Sequence, residues 1–157
     1  MSSSYALLLA FFIGILAGLR SLTPPAVTAW GAYAKWLKLP APALSWLGTM
    51  PAAIIFSVLA FVEIINDKLP KTPARTAPSG LVVRIVMGGF TGACLMAAAG
   101  EEILGAACGI AGALVGTYGG YQVRTRLVKT LGVPDYVIAV LEDFVAVGGS
   151  FWVVSRF

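Results

Sequence analysis

The chain contains no histidine among its 157 residues. Histidine is the usual general acid or base near neutral pH and the commonest metal ligand, so its absence argues against many hydrolases and metal centres. No Walker loop, HExxH or GxSxG motif appears either. The two cysteines, Cys94 and Cys108, lie in separate apolar runs and have no CxxC partner, which is typical of small buried hydrophobic residues. We therefore expect no enzyme and no cofactor, and we assign no metal-ligand set.

Charge is also scarce. Only 11% of the residues are charged and 59% are hydrophobic, whereas soluble domains carry about 25% charged residues. A short water-soluble chain cannot hide that much apolar surface, because small domains leave a large fraction of their surface exposed. The formal net charge of +4 comes mostly from basic residues at the ends of apolar runs. That placement indicates topology signals and contacts with membrane lipids, not nucleic acid.

The apolar runs predict an all-α, polytopic transmembrane bundle that forms one domain over residues 1–157. A hydrocarbon core about 30 Å thick requires about 20 mostly apolar residues in helix. The segment after Thr23 is short and aromatic, so residues 24–39 are interpreted as an interfacial or re-entrant helix. The proline-rich stretch 67–80 is predicted to be a polar surface loop. Five spans are expected, over residues 5–22, 43–66, 81–99, 103–121 and 135–155.

The distribution of Lys and Arg predicts the orientation. With five spans, one side holds Lys68, Lys71, Arg75, Arg84, Arg124, Arg126 and Lys129, and the other holds Lys35, Lys38 and Arg156. Because basic residues favour the cytoplasmic side, we expect the N-terminus and loop 67–80 to be cytoplasmic. If the segment after Thr23 spans the membrane after all, the N-terminus moves outside.

Glycines form stripes along three of the predicted helices. Gly105, Gly109, Gly112, Gly116 and Gly120 share one face of the fourth span, and the pairs Gly14/Gly18 and Gly88/Gly92 do so in the first and third. Such faces let helices approach closely in lipid, which predicts tight packing, and they are also compatible with a backbone-lined pathway. The first and fourth spans resemble each other and are expected to run in opposite directions. This leaves open an inverted repeat, as in transporters, or glycine richness alone.

Acidic residues within the apolar runs are the candidate site. Glu142 and Asp143 lie about 12 Å inside the fifth span and point about 100° apart, so we expect one to face a cavity and the other to meet a cation or a helix end. Glu63 and Asp67 share a helix face and could instead pair with Lys68 or Lys71 as an interfacial cap. Arg20 either extends to the headgroups or is the counter-ion of Glu142 or Asp143.

Three separated motifs resemble one known family. They are the segment Gly18-Leu-Arg-Ser-Leu-Thr-Pro-Pro-Ala26, the stretch that begins Asp67-Lys-Leu-Pro and includes Pro73, Arg75 and Pro78, and the late pair Glu142-Asp143. Together they resemble small prokaryotic membrane proteins of the domain-of-unknown-function 4126 family, over nearly the whole chain. The resemblance implies a single-domain protein of the bacterial inner membrane and implies no activity.

The residues themselves predict a small transporter or channel for a cation or proton. Glu142, Asp143, Glu63 and Asp67 would bind the cation and Arg20 would modulate their charge. A unit of five spans has little interior of its own, so we expect a homo-oligomer. The alternatives are a lipid-interacting scaffold or assembly factor, and a flippase for an anionic lipid.

Overall fold

The structure is a computed structural model that describes residues 2–67 and 76–157. These residues form an all-helical bundle. The predicted fold class is therefore confirmed. Two short 3-10 turns, Trp46–Gly48 and Ala97–Ala99, join the helices. Within the described residues, the α-helices are α1 (Ser3–Leu19), α2 (Thr23–Tyr33), α3 (Pro42–Ser45), α4 (Met50–Asn66), α5 (Pro78–Met96), α6 (Glu102–Leu131) and α7 (Asp135–Val154).

Prolines lie at the start of several helices, and a glycine ends α6. Pro24, Pro51 and Pro78 lie in the first turns of α2, α4 and α5, where the missing N–H breaks no intrahelical hydrogen bond. Gly132 ends α6 with a φ of 62°, a left-handed conformation that glycine adopts without strain. Since no helix breaker precedes Gly132, α6 continues well past residue 121, where we had expected the fourth span to end.

The membrane character of the fold is confirmed, but not the number of spans. In the described residues, Pro78–Ala99, α6 and α7 are long and apolar enough to cross a bilayer. The segments Pro42–Gly48 and Met50–Asn66 qualify together as a fourth span that is bent by 71°. At 17 residues, α1 is a shorter apolar helix. Length and composition thus support three or four spans where we expected five.

The centre of the bundle is the packing of α1, α5 and α6 along the glycine stripes. Gly14 and Gly18 on α1 lie against Gly109 and Ala113 on α6, and Gly88 on α5 also lies against Gly109. At each of these glycines an added methyl group would collide with the neighbouring helix. The stripes therefore bring helix backbones into direct contact, as the spacing predicted.

The order of these contacts shows that α1 and α6 run in parallel. Gly14 meets Gly109, whereas Gly18, one turn further along α1, meets the segment from Ala113 to Thr117. The prediction that these two helices run in opposite directions was wrong, and with it the inverted repeat between them. It failed because it assumed that residues 24–39 do not cross back through the bundle.

Helix α2 returns through the bundle beside α4 and α7. Eight of its eleven residues are buried against other helices, which does not fit a helix that lies at the interface and agrees with a segment that re-enters or spans. The indole Nε1 of Trp30 donates to Ser57 Oγ on α4 at 2.9 Å, and Gly31 lies against Val154 at the end of α7. Helices α1 and α2 therefore form a buried helical hairpin.

This hairpin reverses our placement of the N-terminus. Arg20, just after α1, lies 2.7 Å from Asp67, just after α4, so the chain reaches residue 67 at the end of the bundle opposite the start of α1. We call the end where α4 stops, α5 starts, α6 stops and α7 starts the loop end, and the opposite end the terminal end. The N-terminus thus lies at one end of the bundle, and Asp67 and Pro78 lie at the other, whereas we had expected the N-terminus and loop 67–80 to share one side.

Candidate functional site

The hairpin tip, which we define as Arg20–Leu22, is buried and carries the first part of the site. The Glu63 carboxylate on α4 accepts hydrogen bonds from the Ser21 backbone N–H at 2.8 Å, the Ser21 hydroxyl at 2.6 Å and the Leu22 backbone N–H at 2.8 Å. These donors immediately precede α2, whose N-terminus favours a negative charge. Glu63 therefore anchors the tip to α4 through both carboxylate oxygens.

The other side of the tip is held by a buried arginine. The guanidinium of Arg84 on α5 donates to the backbone oxygen of Gly18 at 3.2 Å and to that of Gly80 at 3.1 Å. The hydroxyl of Thr117 on α6 also lies 3.4 Å from the Gly18 oxygen. Gly18 is in the last turn of α1, where carbonyl groups lack helical partners and favour a positive charge. At the tip, the partly positive N-terminus of α2 thus faces the carboxylate of Glu63, and the partly negative C-terminus of α1 faces the guanidinium of Arg84.

Arg20 connects the tip to two acidic residues. Its Nε donates to Asp143 Oδ1 on α7 at 2.5 Å, and its Nη1 lies 2.7 Å from Asp67 Oδ2. The contact between Nη1 and Asp67 is an ion pair whose angles are not those of a hydrogen bond. Within the described residues, neither Nη1 nor Nη2 has a hydrogen-bond partner. Arg20 is 0% exposed, so it does not extend to the headgroups and is instead the counter-ion of Asp143.

Arg124 on α6 forms the second centre of charge. Its Nη1 donates to Asp67 Oδ2 at 2.9 Å and to Glu142 Oε2 at 3.2 Å. Its Nε and Nη2 bind the two carboxylate oxygens of Asp135 at 2.9 and 2.5 Å. Asp67 therefore lies between both arginines. We call the six side chains Arg20, Asp67, Arg124, Asp135, Glu142 and Asp143 the charge network.

The charge network extends from the loop end into the bundle. Asp143 follows Asp135 by eight residues on α7, which corresponds to about 12 Å. The side chains of Asp67, Glu142 and Asp143 are only 16, 11 and 14% exposed, whereas that of Asp135 is 62% exposed. The network thus connects an exposed carboxylate at the loop end with buried ones at the hairpin tip.

A cleft of about 390 Å³ lies between α6 and α7 beside the charge network. Its floor includes Ile15 and Leu19 of α1, and its charged lining residues are Arg124 and Glu142. We call it the α6–α7 cleft. Its other lining residues are apolar or glycine: Val115, Gly116, Gly119, Gly120, Val123, Leu127, Ile138, Leu141 and Val145.

Asp67 lies just after α4, outside the membrane-spanning segments. Burial by itself would raise the pKa of its carboxyl group, but the guanidinium groups of Arg20 and Arg124 outweigh that effect and hold the pKa below its ordinary value. Asp67 is therefore a charged member of the network at neutral pH.

Four of the five site residues that the sequence singled out belong to the charge network, and the fifth, Glu63, contacts the hairpin tip. Glu142 lines the α6–α7 cleft and meets Arg124, and Asp143 meets Arg20, so both carboxylates have a cationic partner. Glu63 contacts the tip itself and no arginine of the network. The lysines that were alternative partners of Glu63 and Asp67, at positions 68 and 71, lie outside the described residues.

Sequence reasoning missed Arg84, Arg124 and Asp135. We had placed Arg124 in a loop and counted both arginines as topology signals. The spacing held a usable signal, because Arg124 follows Gly116 and Gly120 at steps of four, and Arg84 precedes Gly88 and Gly92 at the same step. Each arginine therefore continues the face of a glycine stripe, and that face is buried.

Comparison with known proteins agrees with the motifs at the tip, in the loop and on α7. Residues 7–155 match the family described as Domain of unknown function (DUF4126). The chain belongs to this family. No curated protein and no solved structure matches it. The DUF4126 match includes every residue of the charge network and of the hairpin tip.

Proposed function

We propose that this DUF4126 protein is a small membrane transporter or channel that moves a cation or a proton through the charge network. The observation that carries the proposal is the position of that network, at the tip of a buried hairpin and beside a cleft. Buried ion pairs contribute little net stability, because desolvation offsets their attraction. Ionisable residues inside a membrane bundle are costly and typically mark pathways for ions or protons. A network that links four helices is therefore better explained by function than by stability.

The proposed mechanism is exchange of partners around two fixed arginines. Among the described residues, Arg20 and Arg124 face four carboxylates, those of Asp67, Asp135, Glu142 and Asp143. A cation or proton that binds Glu142 or Asp143 weakens that residue's ion pair and frees an arginine contact. Asp135 is the entry carboxylate, since it is exposed and shares Arg124 with Glu142.

Glu63 has a different role in this proposal. Both of its oxygens accept hydrogen bonds from the hairpin tip. It positions the tip, and therefore Arg20, and does not bind the transported ion. Buried hairpins and broken helices whose ends meet charged groups are a recurrent feature of transporter sites, which further supports a transport role.

For the orientation, we propose that the loop end is cytoplasmic, in the inner membrane of a bacterium. In the sequence, seven basic residues lie in or near the connections from α4 to α5 and from α6 to α7, whereas Lys35, Lys38 and Arg156 follow α2 and α7. Both termini are then outside, which is the alternative that the sequence left open for a spanning segment after Thr23. A homo-oligomer embedded in membrane lipids remains part of the proposal.

Transport is tested in proteoliposomes that contain the purified protein. We expect Glu142→Gln and Asp143→Asn to reduce cation or proton flux by at least about tenfold, the effect of 1.4 kcal/mol on a rate. Folded yield, measured by gel filtration in detergent, should fall much less. The matched control is Glu102→Gln, which removes a carboxylate at the terminal end and should leave flux unchanged.

Two results would contradict the transport proposal. Wild-type vesicles that leak monovalent cations, divalent cations and protons no faster than empty vesicles would reject it. Equal flux in the wild type and both network variants would reject the role of Glu142 and Asp143.

The second candidate is a lipid-interacting scaffold, and one observation favours it. Both mid-helix carboxylates are salt-bridged, Glu142 to Arg124 and Asp143 to Arg20, so the network could serve to lock four helices together. The cleft beside Glu142 is the reason to prefer transport. The scaffold candidate expects no flux in any variant and a loss of thermal stability in Glu142→Gln and Asp143→Asn.

A further inference from the structure

The α6–α7 cleft is lined mostly by apolar side chains and glycines, and its charged groups, Arg124 and Glu142, lie next to each other. Its volume of about 390 Å³ falls within the range of small-molecule sites, which is about 300–1,000 Å³. The aliphatic and glycine residues that line it cannot solvate a bare inorganic ion. They suit an organic molecule with an apolar body, because burying apolar surface is favourable by about 25 cal/mol per Å².

The charge beside the cleft selects the sign of such a molecule. Arg124 is already bound by both oxygens of Asp135 and by Asp67, and its bond to Glu142 is the longest of the four that it forms. An anionic headgroup at Arg124 would face these carboxylates at close range. A cationic group there would instead face the carboxylates of Glu142, Asp135 and Asp67, which surround Arg124. Charge complementarity therefore favours a cation.

The cleft is also open to the surroundings of the bundle. The side chains of Val115, Leu141 and Val145 on its rim are each more than half exposed, and the cleft separates the faces of α6 and α7. A molecule that partitions into the hydrocarbon core of a membrane can therefore reach it from the side, without crossing the charged loop end.

We propose that the α6–α7 cleft binds a lipophilic organic cation, such as a phosphonium or quaternary ammonium ion with aromatic or alkyl substituents, and that Glu142 is its counter-charge. This inference rests on the proposed function, since it names the substrate class of the same site. The apolar body lies against the glycine face of α6 and the aliphatic face of α7, and the positive centre lies next to Glu142.

Two ions of matched shape and opposite charge test the inference. Binding of tetraphenylphosphonium and of tetraphenylborate to the purified protein in a non-ionic detergent is measured by equilibrium dialysis. We expect saturable binding of tetraphenylphosphonium, at least about tenfold tighter than that of tetraphenylborate. Glu142→Gln should weaken binding of the phosphonium at least about tenfold, because it removes a carboxylate charge from a position that is only 11% exposed, where charges are weakly screened.

Two glycines provide a matched pair of variants for the shape of the cleft. A side chain at Gly119 or at Gly148 would meet no atom within 4 Å, and both glycines are exposed in the middle of a helix. Gly119 lines the cleft and Gly148 does not. We therefore expect Gly119→Leu to fill the cleft and abolish phosphonium binding, whereas Gly148→Leu should bind as the wild type does. Thermal melting of each variant identifies any that fails to fold.

The outcomes separate this inference from the proposed function. No saturable phosphonium binding, equal binding of both ions, or unchanged binding in Glu142→Gln and Gly119→Leu would overturn the inference. Tighter binding of the borate would favour an anionic lipid and would also overturn it. If inorganic cation or proton flux persists in proteoliposomes despite such a result, the proposed function stands alone. Specific phosphonium binding by a protein without any flux would support the site and reject transport.

Discussion

The contact between α1 and α6 makes a sharp prediction about a single methyl group. Gly116 and Gly119 lie one turn apart on α6, and replacing either with alanine adds the same group to the same helix. A Cβ at Gly116 would lie 2.8 Å from the carbonyl carbon and 2.9 Å from the Cα of Ile15, and closer still to its carbonyl oxygen. A Cβ at Gly119 would meet nothing within 4 Å.

The magnitude follows from this difference. Ordinary van der Waals contact begins at 3.4 Å, so α1 must move by about 0.6 Å or more from Gly116→Ala. Overpacking costs about 1–3 kcal/mol, and a collision between backbones belongs at the upper end of that range. Replacing glycine by alanine in a helix contributes about 1 kcal/mol in the opposite direction at both sites. We therefore expect Gly116→Ala to lose about 2 kcal/mol and Gly119→Ala to gain about 1 kcal/mol.

Thermal unfolding in detergent measures this difference. For a chain of this size, about 3 kcal/mol between the two variants corresponds to a separation of about 6–12 °C in melting temperature. Equal melting temperatures for Gly116→Ala and Gly119→Ala would refute the argument that α1 and α6 are in backbone contact. A lower melting temperature for Gly119→Ala than for Gly116→Ala would reverse the assignment of the buried face.

Three further predictions concern the hairpin and its charges. In a cysteine-free background, single cysteines at Ser2 and Thr130 should label from opposite sides of the membrane with an impermeant maleimide, and labelling from one side would contradict the returning α2. Because the pKa of Asp67 is lowered in the folded state, its contribution to stability is present above its ordinary pKa and is lost as pH falls through the folded value. Melting temperature should therefore decline at acidic pH in the wild type and less steeply in Asp67→Asn; parallel curves would count against this ion pair. Glu63→Gln should lower the free energy of unfolding by about 1–3 kcal/mol, because one of its two acceptor atoms becomes a donor that faces N–H groups, and unchanged stability in a denaturant titration would show that the tip does not depend on this anchor.

Composition and spacing were sufficient for the class of fold and for its packing surfaces. The scarcity of charge forces apolar helices into a membrane, and glycines at steps of three and four place backbones against one another whatever the order of the helices. The same reasoning found five residues of the candidate site, because a charged side chain within an apolar run is conspicuous. These features are local, and local sequence determines them.

The direction of the helices was not determined in this way. Residues 24–39 are too short and too aromatic to resemble a span, so we assumed that they stay at one surface. Tertiary packing, chiefly against α4 and α7, buries α2, and this burial returns the chain to the terminal end. One such reversal changes the relative direction of α1 and α6, the location of the N-terminus and the partner of Arg20.

The pairing of charges was decided by tertiary structure for the same reason. Arg20 and Asp143 are 123 positions apart, and Arg124 meets Asp67, Asp135 and Glu142 only because α4 and α6 end, and α7 begins, at the loop end. The sequence determined which residues are ionisable and that a bilayer makes their burial costly. Which arginine neutralises which carboxylate depends on how the helices are arranged around one hairpin, because an ion pair acts over a few ångströms and spacing along the chain does not encode that distance.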